Sequence, residues 1–275
     1  MIPTCALARI AVARIAAARI AFGATVMCVA SACATSPRAA LDGAALDGAA
    51  LDAGATAPIT VSKPNTLTPR EVQDGWMLLF DGRTLKGWQE YGGAPISEGW
   101  TVENGVLALR GRRARDIVTA QVYRNYELTL EWQLSPEGPA GNSGLFYGVI
   151  DTASAIYWGA PEMAILDHAR HPDGKRELTS SGAVHSMYAV PHERTKPVGE
   201  WNAIRLVVNG NHVEQWLNGV NVVQYELASA DWKERVAKSK FNDKPLYGSA
   251  RSGRIGLQQH GSYVGFRNIK IKETK

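Results

Sequence analysis

Three stretches of otherwise apolar, strand-like sequence carry groups that could do proton chemistry. Glu162 sits in Tyr157-Trp158-Gly159-Ala160-Pro161-Glu162-Met163-Ala164-Ile165-Leu166-Asp167-His168, and Asn142 sits in Gly141-Asn142-Ser143-Gly144-Leu145-Phe146-Tyr147-Gly148. His260 ends Gly256-Leu257-Gln258-Gln259-His260. Burying a carboxylate beside Met163 and Ile165 without a partner is costly. Its presence suggests a sheet face that meets a polar, ring-shaped ligand. Alternation along Ile255–His260 puts Gln258 and His260 on one face and Ile255 and Leu257 on the other. Imidazole titrates near neutrality and suits proton transfer.

The carboxylates Glu162 and Asp167 do not form an ordinary glycosidase pair on this strand. Such a pair needs about 5 to 9 Å between carboxyl groups. Five strand steps separate these two by roughly 16 Å and point them to opposite faces. Glu162 is expected to work with a partner from another strand. Asp167 is expected either to contact a ligand or to close a turn. The amide of Asn142 could hold sugar hydroxyls, or it could serve a turn. Tyr147, Trp158 and Trp201 could stack on pyranose faces, although such rings are usually core in a sandwich. Lys240 reads either as a substrate contact or, the favoured reading, as a charge at a helix C-terminus. His168, His171 and His185 are close in sequence but do not match a zinc motif. No metal or cofactor is expected. There is no phosphate loop, no Gly-x-Ser-x-Gly elbow and no cysteine nucleophile in the domain.

The elements that must position these groups are mostly strands. Trp76–Phe80 is a short apolar run closed by Asp81-Gly82. Asn104-Gly105 joins Trp100–Glu103 to Val106–Leu109 as a tight hairpin. Leu128, Leu130 and Trp132 alternate with polar residues. Asn209-Gly210 and Asn218-Gly219 separate three strands into a meander. Arg254–His260 and Val264–Lys272 close the chain. The one helix expected is Asp231–Ser239, with Asp231 as its cap and Trp232 and Val236 facing inward. The expected fold is all-β: an antiparallel sandwich or jelly roll with one short helix.

The ends set the compartment. Residues 1–32 read as an export signal, with charges only at Arg9, Arg14 and Arg19 and an apolar run too short to span a bilayer comfortably. Val29-Ala30-Ser31-Ala32-Cys33 has the form of a lipobox, with Cys33 as the lipidated residue. Residues 33–68 form a linker of Ala, Leu, Asp, Gly and Pro, and 69–275 form the domain. The expected location is the periplasm or outer membrane of a bacterium, with the membrane touched only through the lipid anchor. All three cysteines lie in the leader, which leaves the domain without a disulfide. The chain has 30 Lys+Arg against 26 Asp+Glu, and removing the three leader arginines leaves 27 against 26. With that balance and no basic run carrying aromatics, nucleic acid is not an expected partner.

Taken in order, several motifs resemble one family. They are Gly75-Trp76-Met77-Leu78-Leu79-Phe80-Asp81-Gly82 with Leu85-Lys86-Gly87-Trp88, Gly141–Phe146, Pro161-Glu162-Met163 through Asp167, Gly199-Glu200-Trp201-Asn202, Trp216-Leu217-Asn218-Gly219, Leu257–Gly261, and Phe266-Arg267-Asn268-Ile269-Lys270. This set resembles the 3-keto-disaccharide hydrolase domain. The resemblance implies a concanavalin-A-like jelly roll acting on glycosides oxidised at C3. A 3-keto group acidifies the C2 proton, so base-catalysed elimination of the C1 substituent followed by hydration gives net hydrolysis. That scheme implies Glu162 or His260 as base with the other as acid or orienting group, and Asn142, Gln258 and Arg267 as substrate contacts. The family usually has glutamine at Ala164 and histidine at Gln215, and Ala164 shares a face with Glu162. A non-catalytic carbohydrate-binding module is the alternative for the same fold, and a structural envelope protein is a third.

Overall fold

The computed structural model describes residues 63–111, 113–190 and 194–275. The leader, Cys33 and nearly all of the linker lie outside the described residues. Two antiparallel sheets make a sandwich. The larger runs β11 (Val220–Glu226), β10 (His212–Leu217), β9 (Asn202–Asn209), β6 (Tyr126–Leu134), β13 (Val264–Glu273), β4 (Val106–Leu109) and β3 (Trp100–Glu103), with β1 (Met77–Leu78) also paired to β13. The smaller runs β2 (Trp88–Glu90), β5 (Ile117–Thr119), β12 (Arg254–Leu257), β7 (Asn142–Val149) and β8 (Glu162–Leu166). Among the described residues no helix is long and apolar enough to cross a membrane.

Period-two patterning builds the core. In β6 the inward positions Tyr126, Leu128, Leu130, Trp132 and Leu134 are buried, and the residues between them are partly exposed. They pack against Leu145, Tyr147, Met163, Ile165, Ile255 and Leu257 of the smaller sheet. The expected meander is present as β9–β10–β11. Asn218 and Gly219 both have positive φ (50° and 81°), as a type I′ turn demands. The other turn is centred one residue later than its Asn-Gly pair suggests. Asn209 stays in the strand opposite His212, and Gly210 (φ 62°) leads the turn.

The expected helix is α3 (Ala230–Lys238), the third of three α-helices among the described residues, but its cap is Ser229 rather than Asp231. The Ser229 hydroxyl accepts the Trp232 N–H at 3.1 Å. Asp231 lies two positions past the cap, and instead accepts from Arg235 and from the Tyr188 hydroxyl. Two shorter helices were not anticipated. In α1 (Pro69–Gln73), Thr68 and Glu71 form a reciprocal capping box. The other, α2 (Ile156–Gly159), is a single turn without a side-chain cap.

Candidate active site

The site grows from the outer face of the smaller sheet. In β7 and β8 the odd-numbered residues Leu145, Tyr147, Met163 and Ile165 fill the core. Asn142, Gly144, Phe146, Glu162 and Ala164 therefore point outward. Register sets Gly144 opposite Ala164 and Phe146 opposite Glu162. A Cβ on Gly144 would overlap the Glu162 carboxyl, so this glycine makes the room in which that carboxyl lies. On the other side of β7, Gln258 donates its backbone N–H to the Gly144 carbonyl at 2.9 Å. Leu257 is in the core, so Gln258 also faces outward. The free edge of β8 is closed by residues 182–185. Gly182 and Ala183 exchange backbone bonds with Ala164, and His185 donates its backbone N–H to the Glu162 carbonyl at 2.9 Å.

Glu162 is 8% exposed. Among the described residues its carboxylate has no hydrogen bond or ion pair, and burial pushes its pKa up to about 8, with the nearby charge of Lys240 pulling the other way. Burial likewise lowers the Lys240 ammonium from its ordinary value, opposed by Glu162 and Asp173. His185 is pushed down to about 4, first by burial and then by Lys240, so it stands neutral at physiological pH. A proton-bearing carboxyl, an ammonium and a neutral imidazole thus share one half-enclosed surface.

Lys240 reaches this surface through an aromatic stack. Tyr188 and Tyr225 lie 4.8 Å apart, Tyr225 and Trp232 5.3 Å, Trp232 and Tyr247 5.6 Å, and Tyr247 and Phe241 3.8 Å, all close to parallel. The stack begins beside β11, passes through α3 and ends at Phe241, the residue after Lys240. Gly248 (φ 62°) permits it, because a Cβ there would strike the Trp232 indole. The expectation that Lys240 serves the helix terminus is corrected here. The helix ends at Lys238, and that lysine already pairs with Glu234.

Of the residues expected from sequence, Asn142, Gln258 and Glu162 come together on this face. His260 follows on the same strand extension; it is exposed, and its charge is felt at His185. The Asn142 amide lies 3.2 Å from His171 Nε2, and His171 Nδ1 accepts the Asp173 N–H. It is the Asn142 Nδ2 that faces Nε2.

Tyr147, Asp167 and Arg267, with Trp201 under it, are not brought to this face. Tyr147 is 2% exposed in the core, with its hydroxyl 2.5 Å from that of Tyr225. Asp167 is buried on the opposite face and accepts from the backbone N–H and guanidinium of Arg170, which also donates to the Ser135 and Pro136 carbonyls. Its role is to hold the loop that carries His171. Trp158 is half-buried, with its ring engaged by Tyr157, Phe241 and the Lys244 ammonium 4.5 Å away. Arg267 lies on the other sheet, bonded to Glu131 at 2.6 Å and stacked 4.0 Å over Trp201. Of the two family departures, Ala164 does face the site, but Gln215 is buried between the sheets, 3.4 Å from the Tyr147 hydroxyl. A surface depression of about 710 Å³ is lined instead by residues such as Arg110, Gln133, Glu137 and Tyr263. Among the described residues, no three His, Cys, Asp or Glu converge to hold a metal ion.

The two antiparallel sheets form a jelly-roll sandwich, and the outer face of the smaller one gathers acid–base groups displaced from their ordinary titration ranges, as an enzyme site does. Residues 75–272 match the 3-keto-alpha-glucoside-1,2-lyase-like domain, and the chain belongs to that family. A 3-keto-disaccharide hydrolase of Bacteroides thetaiotaomicron is 34% identical over 230 residues, covering 72% of this chain and 78% of that protein. The crystal structure of a candidate glycosyl hydrolase from Parabacteroides distasonis superposes with a TM-score of 0.72 at 33% identity, covering 78% of this chain and 100% of the other. A second from the same organism gives 0.58 at 27% identity, covering 72% and 99%. The chain is a glycoside-cleaving hydrolase.

Proposed function

We propose that this enzyme cleaves glycosides already oxidised at C3, by elimination across C1–C2 followed by hydration. The observation that carries the reading is the Glu162 carboxyl, which lies buried and unpaired on the outer face of the smaller sheet with its pKa pushed up by burial to about 8. A carboxyl kept protonated by its environment is a general acid. Here it would protonate the departing C1 oxygen. A base removes the C2 proton, and the electron pair passes into the C2–C3 bond as the ketone becomes an enolate. The Lys240 ammonium is suited to stabilise that oxygen, because preorganised charge is most effective where water is excluded. The enolate then collapses, the C1–O bond breaks and the aglycone leaves as an alcohol. Water adds at C1 and a proton returns to C2, so the net change is hydrolysis. Asn142 and Gln258 offer amides to the sugar hydroxyls, and neutral His185 offers an acceptor.

The family match and the Bacteroides relative's name support the 3-keto substrate. The direct test incubates the purified domain with 3-keto-glucosides and with the same glucosides unoxidised. Release of the aglycone only from the oxidised set is expected. Equal cleavage of both would overturn the elimination chemistry, and binding without release would leave a binding module. We also propose export and lipid anchoring at Cys33. Radiolabelled palmitate should enter the wild type and not C33S.

A further inference from the structure

Asp116 belongs to no motif, yet the topology delivers it to the same surface. It precedes β5, in which Ile117 faces the core and Val118 packs outward with Phe146, Val149 and Ile156. Alternation therefore turns Asp116 outward. Leu257 pairs with Ile117 on one side and Leu145 on the other. One step further along β12, Gln258 lies between Asp116 and Gly144, the glycine over which the Glu162 carboxyl rests. The order across the sheet is Asp116, Gln258, Gly144. Two strand spacings, about 10 Å, separate the backbone positions under the two carboxyls.

Asp116 is held on three sides. Tyr91 donates its N–H to the Asp116 carbonyl at 2.8 Å. The Trp100 indole donates to the Arg115 carbonyl at 2.8 Å. The Gln259 N–H donates to Asp116 Oδ1, also at 2.8 Å. Among the described residues its second oxygen has no partner. The groups whose charge it shares are Glu162 and the Tyr91 phenol.

We infer that Asp116 is the base that takes the C2 proton, opposite Glu162 as the acid, an inference that rests on the 3-keto cleavage proposed for this site. The two residues lie on different strands and share one sheet face, with Gln258 between Asp116 and the glycine over which the Glu162 carboxyl rests. Burial supports the division of labour. Asp116 is raised only to about 6, so it is the ionised member of the pair at neutral pH while Glu162 keeps its proton. His260, the base suggested by strand pattern, is exposed and has no comparable anchoring.

The steps balance. The Asp116 carboxylate accepts the C2 proton and the Glu162 carboxyl gives its proton to the leaving oxygen. In the second half, water bonds to C1 and yields a proton to Glu162. Asp116 returns its proton to C2. Both residues end as they began, with one water consumed.

Proton exchange at C2 separates base from acid. In D₂O, followed by NMR, E162Q should exchange C2–H of a 3-keto-glucoside while releasing little aglycone. D116N should do neither, with exchange at least about 100-fold below wild type. Asparagine keeps an acceptor for the Gln259 N–H, so this variant should melt near the wild type. D116E, which restores a carboxylate, should recover part of the exchange. H260A should still exchange. Wild-type exchange in D116N, or its loss in H260A alone, would overturn the assignment. A wild-type protein inert toward every 3-keto-glucoside would instead sink the substrate reading, and this inference with it.

Discussion

The outer faces of the two sheets carry similar residues and use them in opposite ways. On the larger sheet several charges are matched. Arg267 meets Glu131 at 2.6 Å, Arg205 meets Glu127 at 2.6 Å, and His212 lies between Glu226 and Glu214. Trp201 and Trp216 lie under the two arginines, at 4.0 and 5.1 Å from the guanidinium carbons. On the smaller sheet Glu162 and Lys240 sit near each other without an ion pair, and His185 and Asp116 are also displaced from their ordinary titration ranges. Residue type does not distinguish the faces. Pairing does. A matched charge is satisfied and inert, whereas an unmatched buried one is held ready for a substrate.

The sharpest way to break this contrast is E162Q. Loss of a general acid should lower kcat by about 10²- to 10⁴-fold. Stability should move the other way. The folded pKa of about 8 stands above the ordinary 4.5, so the folded protein holds this proton more tightly than the unfolded chain. The resulting stability is present below about pH 4.5 and is lost as pH rises through about 8. Glutamine has no proton to lose. E162Q should therefore match the wild type near pH 4 and exceed it by a few kcal/mol near pH 9, at about 1.4 kcal/mol per pK unit. Urea melts at the two pH values check this, and a pH-independent difference would contradict it.

A smaller effect is expected from K240M, about 10- to 10³-fold in kcat, because one stabiliser of the enolate is removed. The sign of its pH effect is fixed. Lys240 holds the Glu162 pKa down, so its removal lets that pKa rise further. The alkaline limb of the rate profile, where Glu162 loses its proton, should shift to higher pH. A shift to lower pH would mean that the two groups do not share a site.

Much of the scaffold is legible in the chain because its signals are local. Asn104-Gly105 and Asn218-Gly219 name their turns, and the alternation of Tyr126–Leu134 names its inward face. Glu162, Asn142 and Gln258 are legible for the same reason, since strand parity places them on one side. Tyr147 shows the limit. Parity excludes it from the Glu162 face, but its aromatic ring suggested a sugar platform, and only the opposing sheet shows the space to be core. Lys240 and Asp116 were hidden for a different reason. Neither has a neighbour in sequence that marks it. One arrives through five stacked rings drawn from four segments, and the other through the pairing of β5 with β12, strands more than a hundred residues apart.

Arg267 tests the quiet side of the comparison. A motif of the family contains it, and a cation beside a sugar site is a reasonable expectation, yet its guanidinium is committed to Glu131 and Trp201 on the far sheet. Both partners of the ion pair are about 30% exposed, so water competes with the interaction, and pairs of this kind contribute about 0–1 kcal/mol. Stacking on Trp201 adds roughly 0.5–1 kcal/mol. R267M should lower stability by about 1–2 kcal/mol, leave kcat/KM for a 3-keto-glucoside within about twofold, and leave the pH profile unmoved. A large fall in kcat/KM with an unchanged melt would mean that the paired face also meets the substrate, and pairing would no longer separate the working sheet from the supporting one.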